Sequence, residues 1–137
     1  MKLVFLDTNI LLYSISRASG EAVKRERAIT LLDRSDVALS VQVLQEFYAQ
    51  ATRPTRADAL PHDIAAGLIK TWTRFKVQEI TLPVLFGALD IKAAHSLSYW
   101  DSAIISAARA IGCDELFSED LNHSQVIEGI VITNPFR

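Results

Sequence analysis

The feature that most constrains the fold is a short apolar run that ends in a carboxylate and leads directly into a helical pattern. Residues 3–6 are four consecutive apolar residues, which is typical of a strand buried on both faces of a sheet. Asp7 ends this run, and residues 10–15 then begin an apolar helical segment. In open parallel sheets, ligands bind outside the carboxyl ends of the strands, where such junctions lie. Asp7 is therefore either a helix cap or part of a binding site, and this stretch alone does not separate the two.

Strand-like and helix-like segments alternate along the whole chain. Short apolar runs predict further strands at 37–39, 77–80, 115–118 and 130–132, while apolar residues at helical spacing predict helices at 21–34, 43–51, 61–75, 83–95 and 99–111. This alternation predicts an α/β fold in which a central parallel β-sheet is flanked by α-helices on both faces. The length of 137 residues, without a linker or a repeat, predicts one domain over residues 1–137.

Composition narrows the class of protein. Half of the residues are apolar, which is enough for a full core. The net charge of -2 gives no overall basic field for nucleic acid, although it does not exclude a local one. Cys113 is the one cysteine, so no internal disulfide forms, and we expect it in the core. The N-terminal apolar run is too short for a signal peptide, and no run approaches the roughly 18 residues of a membrane span. We therefore expect a cytoplasmic protein without a membrane partner.

Three further acids lie where the predicted fold would bring them towards Asp7. Asp120 follows a predicted strand, and Asp101 falls in the first turn of a predicted helix. Glu46 lies on a helix, beside the apolar stripe rather than on it. Simpler interpretations exist, because a first-turn acid gains about 0.3–1 kcal/mol from the helix dipole and a solvated helix face would look like that of Glu46. From the pattern alone, these simpler interpretations are favoured for Asp101 and Glu46.

Carboxylates that share one pocket require a neutralising partner, because like charges within about 4–6 Å raise one another's pKa and lower stability. Mg²⁺ and Mn²⁺ prefer all-oxygen ligands of this kind. The three histidines, at 62, 95 and 123, are scattered, so no zinc-binding spacing competes with this interpretation. The matching reaction is metal-assisted hydrolysis of a phosphodiester bond. Ser118 and Asn9 are placed to orient water or a carboxylate in such a site.

In chain order, these acidic motifs resemble those of the PIN-domain ribonucleases. The matching segments are Leu6-Asp7-Thr8-Asn9 after the first predicted strand, Glu46 in the third predicted helix, Tyr99-Trp100-Asp101-Ser102-Ala103 at the start of a buried helix, and Ser118-Glu119-Asp120-Leu121 after the next strand. Within that family the chain is similar to the VapC-type toxins of VapBC toxin–antitoxin pairs. The resemblance covers essentially the whole chain, including its closing segment, residues 129–136.

The resemblance implies a single PIN-like domain and a set of site residues. Asp7, Glu46, Asp101 and Asp120 match the metal-binding, catalytic acids of the family; Ser118 matches the Ser or Thr two places before the last acid, and Asn9 the polar residue two places after the first. It further implies an endoribonuclease that depends on Mg²⁺ or Mn²⁺ and is toxic because it cuts cellular RNA. The implied partners are RNA, a second copy in a homodimer, and a cognate antitoxin whose C-terminal segment lies across the active-site groove.

Basic and aromatic residues give weaker expectations. Arg53 and Arg56 lie in the loop-like stretch 53–60 and are the candidate contacts to RNA phosphates. Four aromatic residues at helical spacing are predicted to lie in the core, with base stacking as the less favoured role. They are Trp72, Phe75, Phe86 and Trp100. His123 follows Asp120 closely and is predicted to be a surface residue.

Two other classes of protein compete with the nuclease. A signalling receiver domain also sets acids and Mg²⁺ at strand ends, but it needs adjacent acids after the first strand and a lysine at the end of a late strand. Here Asp7 alone ends the first strand, and residues 130–134 contain no lysine. A pure interaction module, whose acids merely cap helices, would bind no divalent metal in a manner that depends on Asp7.

Overall fold

The computed structural model describes residues 2–137, and over this range the chain forms six strands and six α-helices. The strands are β1 (Leu3–Leu6), β2 (Val37–Ser40), β3 (Lys76–Gln78), β4 (Cys113–Phe117), β5 (Val126–Ile127) and β6 (Ile130–Thr133). The helices are α1 (Thr8–Ser14), α2 (Ala22–Leu32), α3 (Val41–Ala51), α4 (His62–Trp72), α5 (Leu82–His95) and α6 (Tyr99–Ala110). A short 3₁₀ helix, Ser19–Glu21, precedes α2. Among the described residues, no helix has both the length and the apolar character that crossing a bilayer would need.

The strands form one sheet in the order β3-β2-β1-β4-β6-β5. All neighbouring pairs are parallel except β5 with β6, which is antiparallel. The chain builds the sheet outward from β1 to β3 and then returns across it to β4 on the other side of β1. Crossover connections between parallel strands are right-handed. The helices that precede the reversal and the helices of the return connection from β3 to β4 therefore lie on opposite faces of the sheet. Accordingly, α1 to α4 pack with one another and α5 packs with α6.

Local sequence explains where the helices begin. The side chains of Ser40, Thr81 and Ser98 each accept a hydrogen bond from a backbone N–H in the first turn of α3, α5 and α6. Asp7 does the same for α1, because its carboxylate accepts from the N–H of Thr8. Each cap satisfies an N–H that has no partner within its helix. Three of these caps, Asp7, Ser40 and Thr81, lie at or shortly after the end of a strand. They therefore mark the points where the chain passes from the sheet into a helix.

The predicted α/β fold, with its flanking helices, is confirmed. The sheet is mostly rather than entirely parallel, because a two-residue strand, β5, was not predicted and pairs antiparallel with β6. Such a strand is too short to carry a periodic signal. Cys113 is buried as predicted and is the first residue of β4.

The aromatic residues divide into two pairs. Trp72 and Phe75 are buried as predicted, with 5% and 9% of their surface exposed. The prediction was wrong for Phe86 and Trp100, which are 56% and 62% exposed. On α5 the buried residues are Val84, Ala88 and Ile91, and Phe86 points away from that stripe. Trp100 lies in the first turn of α6, before the buried stretch 102–108, so it projects beyond the edge of the sheet.

Candidate active site

Four carboxylates line one pocket at the carboxyl edge of the sheet. The pocket has a volume of about 230 Å³, and its acids are Asp7, Glu46, Asp101 and Asp120; we call it the acidic pocket. Asp7 follows β1 and Asp120 follows β4, and these two strands are neighbours at the point where the strand order reverses. Crevices at such reversals are where open α/β sheets bind ligands. Glu46 comes from α3, and Asp101 from the first turn of α6, so the two helical layers complete the pocket from opposite faces.

Asp7 is the most deeply placed of the four, with 4% of its surface exposed. One carboxylate oxygen accepts from the N–H of Thr8 at 2.7 Å, and the other accepts from the hydroxyl of Ser118, also at 2.7 Å. Burial raises the pKa of Asp7 to about 6, although these two hydrogen bonds oppose the rise, and the charges of Asp120 and Glu46 add to it. Only one of the two oxygens of Asp7 serves as the helix cap. The helix-cap and site interpretations of Asp7 are therefore compatible.

Glu46 is half-buried and held at both oxygens. The hydroxyl of Thr8 donates to Oε1 at 2.6 Å, and the side-chain amide of Gln42 donates to Oε2 at 3.2 Å. The Gln42 amide also donates to the backbone carbonyl of Trp100 at 3.2 Å. Because Gln42 is itself buried, it ties α3 to the start of α6 and fixes Glu46 between them. Glu46 therefore faces the pocket rather than a solvated side of its helix.

Asp120 and Asp101 form the more open side of the pocket. The Asn9 side-chain amide donates to Asp120 Oδ2 at 3.0 Å, and the backbone N–H of Asp120 donates to the Ser118 hydroxyl at 3.2 Å. The other amide atom of Asn9, Oδ1, is buried without a hydrogen-bond partner among the described residues. Burial raises the pKa of Asp101, and the charges of Asp120 and Glu46 raise it further. The charges of Asp120 and Glu46 are thus close enough to raise the pKa of both Asp7 and Asp101.

No positive side chain of the described chain balances this charge. The pocket is lined by the four acids together with Thr8, Asn9, Leu12, Gln50, Trp100 and Ile104, and none of the acids forms an ion pair within residues 2–137. Over the same residues, no three or more His, Cys, Asp or Glu side chains are arranged to hold a metal ion directly. Instead, internal donors occupy oxygens of Asp7, Glu46 and Asp120. The pocket is a net negative cavity that is rich in carboxylate oxygens.

A second carboxylate site lies beside the acidic pocket. Glu119 accepts a hydrogen bond from Tyr13 at 2.5 Å and forms an ion pair with Lys24; we call these three residues the Glu119 cluster. Burial alone would raise the pKa of Glu119, but the hydrogen bonds from Lys24 and Tyr13 lower it overall. The Phe136 ring packs edge-on against Tyr13 with centroids 5.0 Å apart. The C-terminal segment therefore supports the residues that hold Glu119.

The two candidate RNA-binding arginines occupy different environments. Arg56 lines a cavity of about 240 Å³ that adjoins the acidic pocket, since Asn9 and Asp120 line both. Its Nε donates to Asp58 Oδ1 at 2.6 Å, and Asp58 also accepts from the backbone N–H of Arg17. Arg53 is exposed and lines neither cavity. The structure thus brings Arg56, but not Arg53, to the side of the acidic pocket. His123 is exposed, as predicted, and accepts a hydrogen bond from the backbone N–H of Asn134.

An apolar cavity of about 280 Å³ shares Trp100 with the acidic pocket. Gln42 lines this cavity but not the acidic pocket. Ile80, Leu82 and Val84 supply part of its apolar wall.

Sequence reasoning missed the roles of Gln42 and Thr8, although both left a signal: Gln42 precedes Glu46 by one helical turn, and Thr8 adjoins Asp7.

Comparisons with known proteins agree on one fold. The family model for the PIN domain matches residues 4–128. No curated protein matches the chain in a sequence search. Similar solved structures include a toxin–antitoxin complex from Klebsiella pneumoniae (17% identity, 96% of this chain and 97% of that chain, TM-score 0.71) and Mycobacterium tuberculosis VapC20, a sarcin–ricin loop cleaving toxin (20%, 85% and 91%, 0.67). DNA-bound VapBC from Salmonella typhimurium is also similar (19%, 98% and 99%, 0.67). At these identities, the likeness establishes a shared fold.

Proposed function

The chain belongs to the PIN-domain family, as its acidic motifs predicted, and we propose that it is a metal-dependent endoribonuclease that acts as the toxin of a toxin–antitoxin pair. The observation that carries the proposal is the acidic pocket: four carboxylates at the sheet edge of a PIN domain, with no basic side chain of the described residues lining it. Hydrolysis of an RNA phosphodiester bond is the reaction that such a pocket suits.

The residues of the acidic pocket fit a hard divalent cation. Carboxylates and amide oxygens are the ligands that Mg²⁺ and Mn²⁺ prefer, and the buried, unpartnered Asn9 Oδ1 is one further oxygen acceptor beside the acids. Asp7, Glu46, Asp101 and Asp120 would hold Mg²⁺ or Mn²⁺ in part through waters that the ion keeps, because no three acids of the described residues are arranged to bind it directly. When bound, the ion would supply an activated water and stabilise charge on the leaving oxygen.

The surrounding residues position the four acids. Ser118 and the N–H of Thr8 orient the two oxygens of Asp7, so that this carboxylate stays ionised against the cost of its burial. The Thr8 hydroxyl and Gln42 orient Glu46, and Asn9 orients Asp120. These donors are the kind of supporting hydrogen bonds that fix ligand carboxylates in metal sites. No histidine lines the acidic pocket among the described residues, and the proposed chemistry needs none.

The proposed partners are RNA, an antitoxin and a second copy of the chain. The similar structures from Klebsiella and Salmonella are toxin–antitoxin or VapBC complexes, which supports an antitoxin partner. That the C-terminal segment of this antitoxin covers the acidic pocket is our proposal from the family resemblance. For RNA, Arg56 is the preferred phosphate contact over Arg53, because it lines the cavity next to Asp120. Two exposed apolar residues on α5, Phe86 and Leu89, offer a surface of the kind that a homodimer buries. Such a toxin would act in the cytoplasm, where its RNA substrate is.

The proposed PIN domain extends over residues 1–137, past the end of the family match at residue 128. Support comes from the closing segment, which packs on the first two helices. The Nε of Arg27 donates to the carbonyl of Pro135, and Phe136 contacts Tyr13. Deleting this segment should therefore destabilise the domain.

The decisive test is RNA cleavage by the purified, antitoxin-free protein. Cleavage should require Mg²⁺ or Mn²⁺ and should stop when EDTA is added. Asp7→Asn should abolish it while the circular dichroism spectrum stays unchanged, because the amide is nearly isosteric but carries no charge. Asp90→Asn, at an exposed position on α5, is the matched control and should cleave like the wild type. Full activity of the Asp7 variant would contradict the assignment of the pocket.

A further inference from the structure

Trp100 is an unusually exposed aromatic residue next to the acidic pocket. Its surface is 62% exposed, although a tryptophan is among the side chains that gain most from burial. It directly precedes Asp101 and lines the acidic pocket with it. Ile80 and Leu82 are also exposed and line the apolar cavity together with Trp100. Exposed apolar residues that share a cavity in this way mark a binding site. The proposed function as stated above gives Trp100 no task.

The same side chain also forms a wall of the apolar cavity. That cavity has a volume of about 280 Å³ and is mainly apolar, but three side-chain amides reach it. They belong to Gln42, Gln45 and Gln78. Both N–H groups of the Gln42 amide already donate, to Glu46 and to the Trp100 carbonyl, and the Gln78 amide donates to the carbonyl of Glu79. The Gln45 amide offers donors and an acceptor, and the other two amides offer their oxygens, which together match the polar edge of a nucleobase. An apolar interior with such groups in its lining thus suits a planar heterocycle better than an aliphatic side chain.

Trp100 is held in a fixed position. Its backbone carbonyl accepts from Gln42, which also holds Glu46, and the cap at Ser98 fixes the first turn of α6. The Tyr99 ring contacts the indole edge-on, with centroids 5.0 Å apart. The backbone of Trp100 is therefore fixed and the Tyr99 ring supports one edge of the indole, which lowers the entropy lost when a ligand stacks on it.

We propose that Trp100 is a stacking platform for an unpaired RNA base, which enters the apolar cavity while the neighbouring phosphodiester bond lies in the acidic pocket. The inference rests on the proposed function and adds two things to it. Trp100 becomes a substrate-binding residue, and the RNA must be unpaired at this base, since a base inside a duplex cannot present its face to a side chain. Base–aromatic stacking tolerates any sequence, because every base has a π-face.

The test is a cycle that combines a protein change with an RNA change. A single-stranded oligonucleotide that the wild type cleaves is remade with one abasic ribose at each position around the cleaved bond. For the intact RNA, Trp100→Ala should raise KM by about tenfold, a loss typical of removing one stacked base, and should change kcat less. Trp100→Phe should recover most of the loss. One abasic position should raise the wild-type KM by about the same factor and leave the KM of Trp100→Ala unchanged.

The outcomes separate the two proposals. If the wild type cuts no RNA under any divalent-metal condition, the proposed function fails. If the wild type cuts RNA but the abasic penalty is equally large in Trp100→Ala, the function stands and the stacking inference is overturned. Sedimentation of each variant identifies a protein contact instead: a change of oligomeric state without a change of KM would assign Trp100 to an interface between copies and overturn the stacking inference too. Thermal unfolding confirms that both variants fold, as expected for an exposed position.

Discussion

The acidic pocket and the Glu119 cluster lie side by side at the same edge of the sheet, yet they hold their carboxylates in opposite ways. Glu119 and Asp120 are consecutive residues after β4. Glu119 turns towards Lys24 and Tyr13, which lower its pKa despite its partial burial. Asp120 turns towards Asp7 and Glu46, where its charge adds to theirs and helps to raise the pKa of Asp7. One step along the backbone thus separates a neutralised acid from one that is not.

This difference distinguishes carboxylates that stabilise the fold from carboxylates that are available to a ligand. A carboxylate that the fold needs is paired by the chain itself, as the Glu119 cluster is, because leaving buried charge without a partner is costly. In the acidic pocket this free-energy penalty is not offset, since none of its acids pairs with a basic residue in the part of the chain that the structure describes. Charge of this kind is maintained in proteins at functional sites. The comparison therefore supports the proposal that a cation from solution completes the pocket.

The largest expected effect comes from removing the most deeply buried of the uncompensated charges. At about 1.4 kcal/mol for each pKa unit, the rise of the Asp7 pKa from 3.8 to about 6 corresponds to about 3 kcal/mol. Because the folded protein holds this proton more tightly than the unfolded chain, its free energy of unfolding should fall as pH rises from about 4 to about 6. In EDTA at pH 7.5, Asp7→Asn should therefore be more stable than the wild type by up to about 3 kcal/mol.

Urea unfolding at pH 4, 5.5 and 7.5 measures this difference. It should be small at pH 4, because the folded protein holds Asp7 protonated there and the unfolded chain, with a pKa of 3.8, gains little free energy from ionising it. It should grow towards pH 7.5. Asp90→Asn is again the control and should change stability by less than about 0.5 kcal/mol at each pH, as exposed substitutions usually do. Equal stability of the wild type and Asp7→Asn at pH 7.5 would mean that the buried charge of Asp7 does not destabilise the folded protein.

Most of the fold could be predicted from the sequence because strong local signals agree with it. The apolar run of β1 is buried along its whole length, and α6 begins at Tyr99, the residue at which the helix was predicted to begin. What could not be predicted depends on tertiary context. β5 has two residues and forms only because β6 pairs with it, and Trp100 has the helical spacing of a core residue but lies beyond the sheet edge. Periodicity tells which residues share a face and not how far the neighbouring layer extends.

The site was predictable in a different way. That Asp7 and Asp120 share an edge follows from strand direction alone in a parallel sheet. Glu46 and Asp101 came from resemblance to a family, since nothing in their spacing distinguished them from a solvated face or a dipole-stabilised acid. Two donors that hold Glu46 were missed. Thr8 was missed because a hydrogen bond between residues 38 positions apart leaves no periodic trace, and Gln42 because its one-turn spacing from Glu46 is equally typical of a solvated helix face. The roles of all four acids in metal binding and catalysis stay predictions.

A smaller effect is expected from removing the cation of the Glu119 cluster. Lys24→Ala leaves Glu119 with only the Tyr13 hydroxyl, so it makes this site resemble the acidic pocket. Since the ion pair is partly exposed, we expect a loss of at most about 1 kcal/mol in the free energy of unfolding, and retained RNA cleavage. Arg25→Ala, which removes a positive charge from the exposed side of the same helix, should cost less. Loss of cleavage in Lys24→Ala with unchanged stability would show that the two sites are not separate.

The smallest change in stability, and the sharpest comparison, comes from giving the acidic pocket a cation of its own. Gln50 is exposed, lines the pocket and follows Glu46 by one helical turn. In Gln50→Lys, the ammonium group should pair with Glu46 at favourable helical spacing and add about 0.5 kcal/mol of stability in EDTA. It should also compete with a divalent ion, so Mn²⁺ should raise the melting temperature less than it does in the wild type. Gln50→Met, of similar size without the charge, should respond to Mn²⁺ like the wild type. An equal Mn²⁺ response of the two variants would mean that the carboxylates around Glu46 do not take part in holding the ion, and the contrast with the Glu119 cluster would lose its meaning.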